Sequence, residues 1–299
     1  VAAPVAGTLN PAGLSEIVAG AWRLAEWDWT PQQRLAWIEG LLDLGISSFD
    51  HADAEGEPPV AALFGQALAL RPALRAQLQL VVQCGLPPLD MAGLAGRRAR
   101  HAHTAAARLR DSVQAQLRAL RTDHLDLLLL HRPDPLLDFD ELAETFAALR
   151  RDGLVRHFGL SDARPPQLAP LHRRFALATH QLELSPLHTA PLHDGTLDQC
   201  QDLGLRPMAW APLAGGRLLA ADTPAARRVR QVLAPMAEAL GVSPTTLAIA
   251  WVRRHPSRPL PVLGTRRLAV AREARAALDL VLDAGPWRAL WAAAEAASA

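Results

Sequence analysis

Short apolar runs that end in polar clusters recur along this chain. Residues Ile46-Ser47-Ser48-Phe49 empty into Asp50-His51-Ala52-Asp53-Ala54-Glu55-Gly56. The run Leu78-Gln79-Leu80-Val81-Val82 ends in Gln83-Cys84-Gly85, and Leu125-Asp126-Leu127-Leu128-Leu129-Leu130 ends in His131-Arg132-Pro133-Asp134-Pro135. Runs of this length read as buried strands. Three strands that each discharge polar side chains at their C-terminal ends predict one shared face.

Between the runs the apolar spacing changes to that of helices. After a first strand over 15–20, a helix is expected over 31–44, with Pro31 just inside its start, Thr30 as its cap and Gly45 past its end. Further helices are expected over 58–70, 104–120, 138–151 (closed by Gly153), 165–172, 192–203 (ended by Gly204), 225–240, 244–255, 267–280 and 286–297. Strands are expected over 155–160, 176–182, 206–210 and 260–263 in addition to the three above. Residues 85–103, rich in Gly, Pro and Arg, read as a loop long enough to suspect a role over a site. Residues 216–223 read as a second pocket-shaping loop.

Strand and helix thus alternate about eight times without a linker, the pattern of a single parallel (β/α)₈ barrel over residues 1–299, with its site at the C-terminal ends of the strands. A doubly wound sheet competes, but no Gly-x-Gly-x-x-Gly sequence opens the first helix.

Composition narrows the function. A chain of 299 residues, half of them hydrophobic, is long enough for one large core. Net charge is +1 from 31 basic and 30 acidic residues, which argues against nucleic acid and anionic membranes as partners. No apolar stretch approaches the roughly 20 residues of a membrane span. Cys84 and Cys200 make neither a zinc spacing nor a disulfide framework, and no signal-peptide pattern opens the sequence, so a cytoplasmic setting is the expectation. There is no tyrosine and no lysine, so every basic residue counted is arginine.

The acids and histidine after Phe49 admit two readings. They form either a solvated turn that caps the next helix or a site in which a strand fixes acids that a loop leaves accessible.

The wider sequence resembles the aldo-keto reductase family nearly end to end. The resemblance is carried by Phe49-Asp50-His51-Ala52-Asp53, by Leu127 to Pro135, by Val155-Arg156-His157-Phe158-Gly159-Leu160-Ser161, and by Gln181-Leu182-Glu183-Leu184-Ser185-Pro186-Leu187. It continues through Pro207 to Gly216 and Leu263-Gly264-Thr265, and the wording is similar to the bacterial branch of monomeric, NADPH-dependent reductases. It implies a barrel that binds NADPH across its C-terminal mouth and reduces a small-molecule carbonyl. Hydride comes from the cofactor and a proton from a tyrosine, which a lysine paired with an aspartate activates; a histidine orients the carbonyl.

Here the aspartate is Asp50 and the histidine His131, whereas Glu55 holds the tyrosine position and Gln83 the lysine position. Ser161, Asp162 and Gln181 match residues that hold the nicotinamide carboxamide. Asp162 stands for an asparagine, and when ionised it accepts from the amide NH₂ but cannot donate to its oxygen. Trp210 matches the aromatic stacked on the ring, and Trp22 lies at the same mouth. Ala211, Leu213 and Gly215 match the pyrophosphate loop, Gly264, Thr265 and Arg266 the 2′-phosphate site, and Glu273 the adenine contact. Val270 occupies the place of a clamping arginine, with Arg266, Arg267 and Arg272 nearby.

Three functions follow. The first is a barrel of this architecture impaired in carbonyl reduction, with weakened binding of NADPH and NADH not excluded. The second is an active reductase with Glu55 as its acid. The third is divalent-metal chemistry at Asp50, Glu55 and His131, although no site of metal-ligand spacing is assigned. Without a lysine, Asp50 is a buried acid lacking a cation, to which the Gln83 amide can donate.

Overall fold

The structure, a computed structural model, describes residues 10–52, 59–85, 105–133 and 136–296. Strands β1 (Val18–Gly20), β2 (Ser48–Ala52), β3 (Gln79–Gly85), β4 (Leu125–His131), β5 (Val155–Ser161), β6 (Thr179–Glu183), β7 (Met208–Trp210) and β8 (Leu260–Leu263) are all parallel and close into one barrel in chain order. The expected (β/α)₈ architecture is therefore present in a single domain. Its helices are α1 (Pro31–Leu42), α2 (Val60–Leu68), α3 (Ala105–Leu120), α4 (Phe139–Arg151), α5 (Pro165–Arg174), α6 (Thr196–Asp202), α7 (Arg217–Ala220), α8 (Pro224–Ala239), α9 (Pro244–Arg253), α10 (Leu268–Ala276) and α11 (Ala284–Glu295).

Local chemistry sets the ends of these helices. Thr30 and Gln33 form a reciprocal capping box at the start of α1. Asp138 accepts from the amides of Asp140 and Glu141 at the start of α4, whose last turn carries Arg150 and Arg151. Two expectations need correction. The helix read over 192–203 is a single 3₁₀ turn at Ala190–Leu192 followed by α6, because Gly195 enters the left-handed region (φ 86°) between them. The loop read over 216–223 contains the short helix α7. Most of the expected 85–103 loop lies outside the described residues.

Strand alternation sorts side chains between two cores. One outer face of the barrel buries Phe49, Leu80, Leu128 and Phe158 against Trp37, Phe64 and Phe146 of the helices. The barrel interior holds Val18, Val81, Leu127, Leu129, Met208, Leu260 and Val262. This inner plug fills the N-terminal half, so any ligand is confined to the opposite mouth. Helix packing is close enough at one point to require glycine: a Cβ on Gly65 of α2 would lie 2.1 Å from the Ala119 carbonyl of α3. Among the described residues no single helix is long and apolar enough to cross a membrane.

Candidate active site

Two residues above the apolar plug, strands β2, β3, β5 and β6 turn polar. Asp50, Gln83, Ser161 and Gln181 point inward from β2, β3, β5 and β6, and all are buried. Register builds this layer, since Ala52 pairs with Gln83 and Ser161 with Gln181. The Gln83 amide donates to both Asp50 carboxylate oxygens (3.0 and 3.3 Å) and to Gln181 Oε1 (2.8 Å). The Gln181 amide donates to Asp50 Oδ2 at 2.9 Å, and the Ser161 hydroxyl reaches Gln181 Oε1 at 3.4 Å. Asp50 is 5% exposed, and its side-chain partners are two neutral amides. Burial pushes its pKa up to about 6, against the pull of Gln181, Gln83 and the His131 charge. The expected Asp50–Gln83 pair is therefore formed, with Gln181 as a third member.

The next layer lies at the rim. His131 ends β4, Asp162 follows β5, and Trp210 ends β7. Asp162 Oδ1 accepts from Trp210 Nε1 at 2.9 Å, and its Oδ2 lies 3.3 Å from His131 Nε2 and 3.9 Å from Arg132 Nε. Burial raises the Asp162 pKa, but the donors on His131 and Trp210 outweigh it, so the carboxyl sits below its ordinary value. Arg132, Asp162 and Ala211 each adopt left-handed backbone (φ 50°, 52° and 48°) directly after a strand. Non-glycine residues in this region cost roughly 1–3 kcal/mol each and gather at functional sites. The amides of Arg132 and Asp162 still pair with the neighbouring strand, to Ser161 O and Gln181 O at 2.9 Å. The ladder therefore continues while the side chains turn over the mouth. Sequence periodicity gave no sign of these corners, because an alternation rule carries no information on φ.

His51 is corrected by the same alternation. The sequence pattern places it in an accessible cluster, but it points away from the mouth into the helix layer. There it meets Phe64 edge-on at 4.5 Å and bonds the Val81 carbonyl through Nδ1. Burial lowers its pKa to about 4. Asp53 and Glu55 lie outside the described residues, so the tyrosine position carries no geometry. Among the described residues no group of three His, Cys, Asp or Glu side chains is placed to hold a metal.

The remaining nucleotide candidates surround the rim. Trp22 is 46% exposed and lies against Gly264, where a Cβ would stand 3.0 Å from the indole Nε1; the Arg23 guanidinium covers the ring at 4.4 Å. After Ala211, the backbone passes from Leu213 (φ −108°) into left-handed Ala214, Gly215 and Gly216. The Ala214 and Gly216 amides pair with Ala211 O and Leu213 O (2.7 and 2.9 Å), so only the remaining amides of this turn are candidates for an anion. Helix α10 has Arg267 at its N-cap and no side-chain cap bond. Its first turn is thus open to an anion, with Arg266, Arg267 and Arg272 exposed around it. Thr265 is tied down by Trp37 Nε1, which donates to its carbonyl. Glu273 is half-buried and accepts from the Ser243 hydroxyl at 3.1 Å, joining α10 to α9. These donors fit the anionic half of a dinucleotide. The carboxamide candidates fit less freely, since Gln181 is bonded to Asp50 and Asp162 to Trp210 and His131.

A family model described as Aldo/keto reductase family matches residues 16–295. Oxidoreductase YdhF of Escherichia coli is 42% identical over 286 residues, 94% of each chain. A 6-dehydroglucose reductase of Agrobacterium fabrum is 38% identical over 285 residues, 93% of each chain. Among solved structures, an aldo/keto reductase from Klebsiella pneumoniae in complex with NADP and acetate superposes with a TM-score of 0.74 at 26% identity, covering 93% of this chain and 90% of that one. The thermostable aldo-keto reductase Tm1743 superposes with a TM-score of 0.78 at 21% identity, covering 95% and 98%, and supports the fold.

Proposed function

Because the chain belongs to the aldo/keto reductase family, we propose that it binds a nicotinamide nucleotide across the C-terminal mouth and that its carbonyl reduction is slow. The observation that carries this reading is the neutral partnering of Asp50: amides from Gln83 and Gln181 occupy the place of a cation.

When bound, the cofactor supplies the hydride for a small-molecule carbonyl. The protein must then place a proton on the carbonyl oxygen. In the family resemblance a lysine at position 83 lowers the pKa of a tyrosine at position 55; here these positions hold Gln83 and Glu55. Gln83 keeps Asp50 solvated, but it brings no positive charge to stabilise a phenolate or any other conjugate base. General acid catalysis is worth about 10²–10⁴-fold, and a loss of that order is the consequence. His131, at the rim, orients the carbonyl by donating to its oxygen.

Binding is weakened at both ends of the nucleotide. Gln181 must turn from Asp50 and Gln83 before it holds the carboxamide, whereas Asp162 keeps its bond to Trp210 and accepts from the amide NH₂ but cannot donate to its oxygen. At the other end Arg266 and the open start of α10 receive the 2′-phosphate, with Val270 adding no charge. The amides around Leu213 and Gly215 face the pyrophosphate, Trp22 and Trp210 flank the ring end, and Glu273 lies toward the adenine. The preference for NADPH over NADH is reduced accordingly.

The test is a titration with NADPH and NADH followed by tryptophan fluorescence, together with NADPH oxidation against nitrobenzaldehydes. Binding of both nucleotides with little turnover supports the reading. Robust turnover that Glu55→Gln abolishes would transfer the acid's role to Glu55, and absence of binding would leave a barrel that takes no cofactor.

A further inference from the structure

We propose that Asp162 makes this mouth selective for the redox state of the nicotinamide, so that the oxidised cofactor is held more tightly than the reduced one. The inference rests on the cofactor reading given above and concerns the charge that this chain places at the ring.

Loss of hydride converts a neutral dihydronicotinamide into a cationic pyridinium, so the two forms differ by one positive charge at the ring. Asp162 stands beside Trp210, the aromatic assigned to that ring, with its Oδ1 2.9 Å from the indole nitrogen. Its side chain is only 23% exposed, so its charge is weakly screened. The carboxyl also remains ionised, since the donors on His131 and Trp210 overcome the effect of burial.

The cationic groups beside it offset this charge only in part. Arg132 approaches to 3.9 Å but is 75% exposed, which leaves its charge largely to solvent. His131 lies 3.3 Å from Oδ2 on the other side. Below the rim Asp50 is held by neutral amides, and with a pKa near 6 it is mostly ionised at pH 7. The chain contains no lysine to offset either acid. A nicotinamide ring bound beside Trp210 would therefore have two carboxylates near it, and its charge changes by one unit during the reaction.

A carboxylate within a ring's width of a partly buried cation favours it by about tenfold or more. A tenfold preference for the oxidised form lowers the midpoint potential of the bound couple by about 30 mV for two electrons. The overall balance is unchanged: NADPH, a proton and the carbonyl give NADP⁺ and the alcohol. The equilibrium on the protein shifts toward the alcohol.

The experiment measures Kd for NADP⁺, NADPH and 2′,5′-ADP by tryptophan fluorescence, on the unmodified protein and on Asp162→Asn. We expect NADP⁺ to bind about tenfold more tightly than NADPH to the unmodified protein. In Asp162→Asn the ratio should fall toward one through weaker NADP⁺ binding, while 2′,5′-ADP, which lacks the ring, binds unchanged. An unaltered ratio in the variant would overturn the inference while leaving the cofactor reading intact. A ratio of one or less in the unmodified protein does the same, and settles the matter even if Asp162→Asn fails to fold. Failure of NADP⁺, NADPH and 2′,5′-ADP alike to bind overturns the cofactor reading and this inference together.

Discussion

Gln83 donates its uncharged amide to Asp50 at 3.0 Å, at the position where the family resemblance places a lysine–aspartate pair. Restoring only one member of the proton-donor unit should do little, because the lysine acts through the tyrosine. Glu55→Tyr alone lacks the cation that lowers the phenol's pKa. Gln83→Lys alone neutralises Asp50 but brings no phenol. The double variant should exceed the product of the two single effects in kcat, by tenfold or more on the scale of general acid catalysis. NADPH oxidation with nitrobenzaldehydes measures it, and simple multiplicativity would show that positions 55 and 83 do not work as a unit.

Asp50 should also leave a mark on stability. Its folded pKa of about 6 lies above the ordinary carboxylate value of 3.8, so between those values the folded protein holds the extra proton. Stability therefore falls as pH rises through this window, and the loss is complete above about pH 6, on the order of 2–3 kcal/mol. Asp50→Asn removes the ionisation, at the cost of turning one glutamine amide to present its oxygen. At pH 7 the variant should unfold in urea at a higher midpoint than the parent, and by pH 4 the difference should vanish. An advantage that does not change with pH would show that Asp50 is not destabilised by its charge.

His180 should behave with the opposite slope. It is fully buried, neither ring nitrogen has a hydrogen-bond partner among the described residues, and burial lowers its pKa to about 4. The unfolded chain therefore takes up a proton first as pH falls below 6.5, and stability is lost between there and about pH 4. His180→Leu removes both the titration and two unpaired polar atoms, each costing roughly 1–3 kcal/mol when buried. We expect the variant to be at least as stable at pH 7.5 and to gain on the parent as pH falls to 5, as read from urea midpoints. A loss of stability at both pH values would mean that the ring packs better than its polarity suggests.

The barrel was legible because parallel strands buried on both faces leave continuous apolar runs, and the Leu125–Leu130 run ends where β4 does. Placement of Asp50, Gln83 and His131 at one mouth was also legible, since each ends such a run, whereas Gln181 lies inside β6 and was named only through the family resemblance. The His51 placement was missed because a cluster in sequence is split by alternation in a strand: Asp50 faces the mouth and His51 the helices. The Asp162–Trp210 bond was not legible either. It depends on left-handed corners at Asp162 and Ala211 that no hydrophobic pattern records. Residues 176–178, read as strand, precede β6, which begins at Thr179, although the Ala178 amide already donates to Phe158 O of β5 at 2.7 Å.

The start of α10 supplies the most specific test of where the adenosine end binds. Val270 is half-buried in the first turn of a helix without a side-chain cap, close in sequence to three exposed arginines. A phosphate at this end meets open amides and the positive end of the helix dipole, but only mobile charge from Arg266, Arg267 and Arg272. An arginine at position 270 adds a donor on the helix itself. A charge-assisted hydrogen bond is worth about 1.5–3 kcal/mol, or roughly ten- to a hundred-fold in affinity. Val270→Arg should therefore tighten NADPH by about that factor and leave NADH nearly unchanged, since NADH lacks the 2′-phosphate. The gain should shrink as salt rises, because the start of the helix is open to solvent. Titrations of both nucleotides at low and high ionic strength decide it. An equal gain for NADPH and NADH would place Val270 away from the 2′-phosphate, and a gain insensitive to salt would mean that it comes from packing rather than charge.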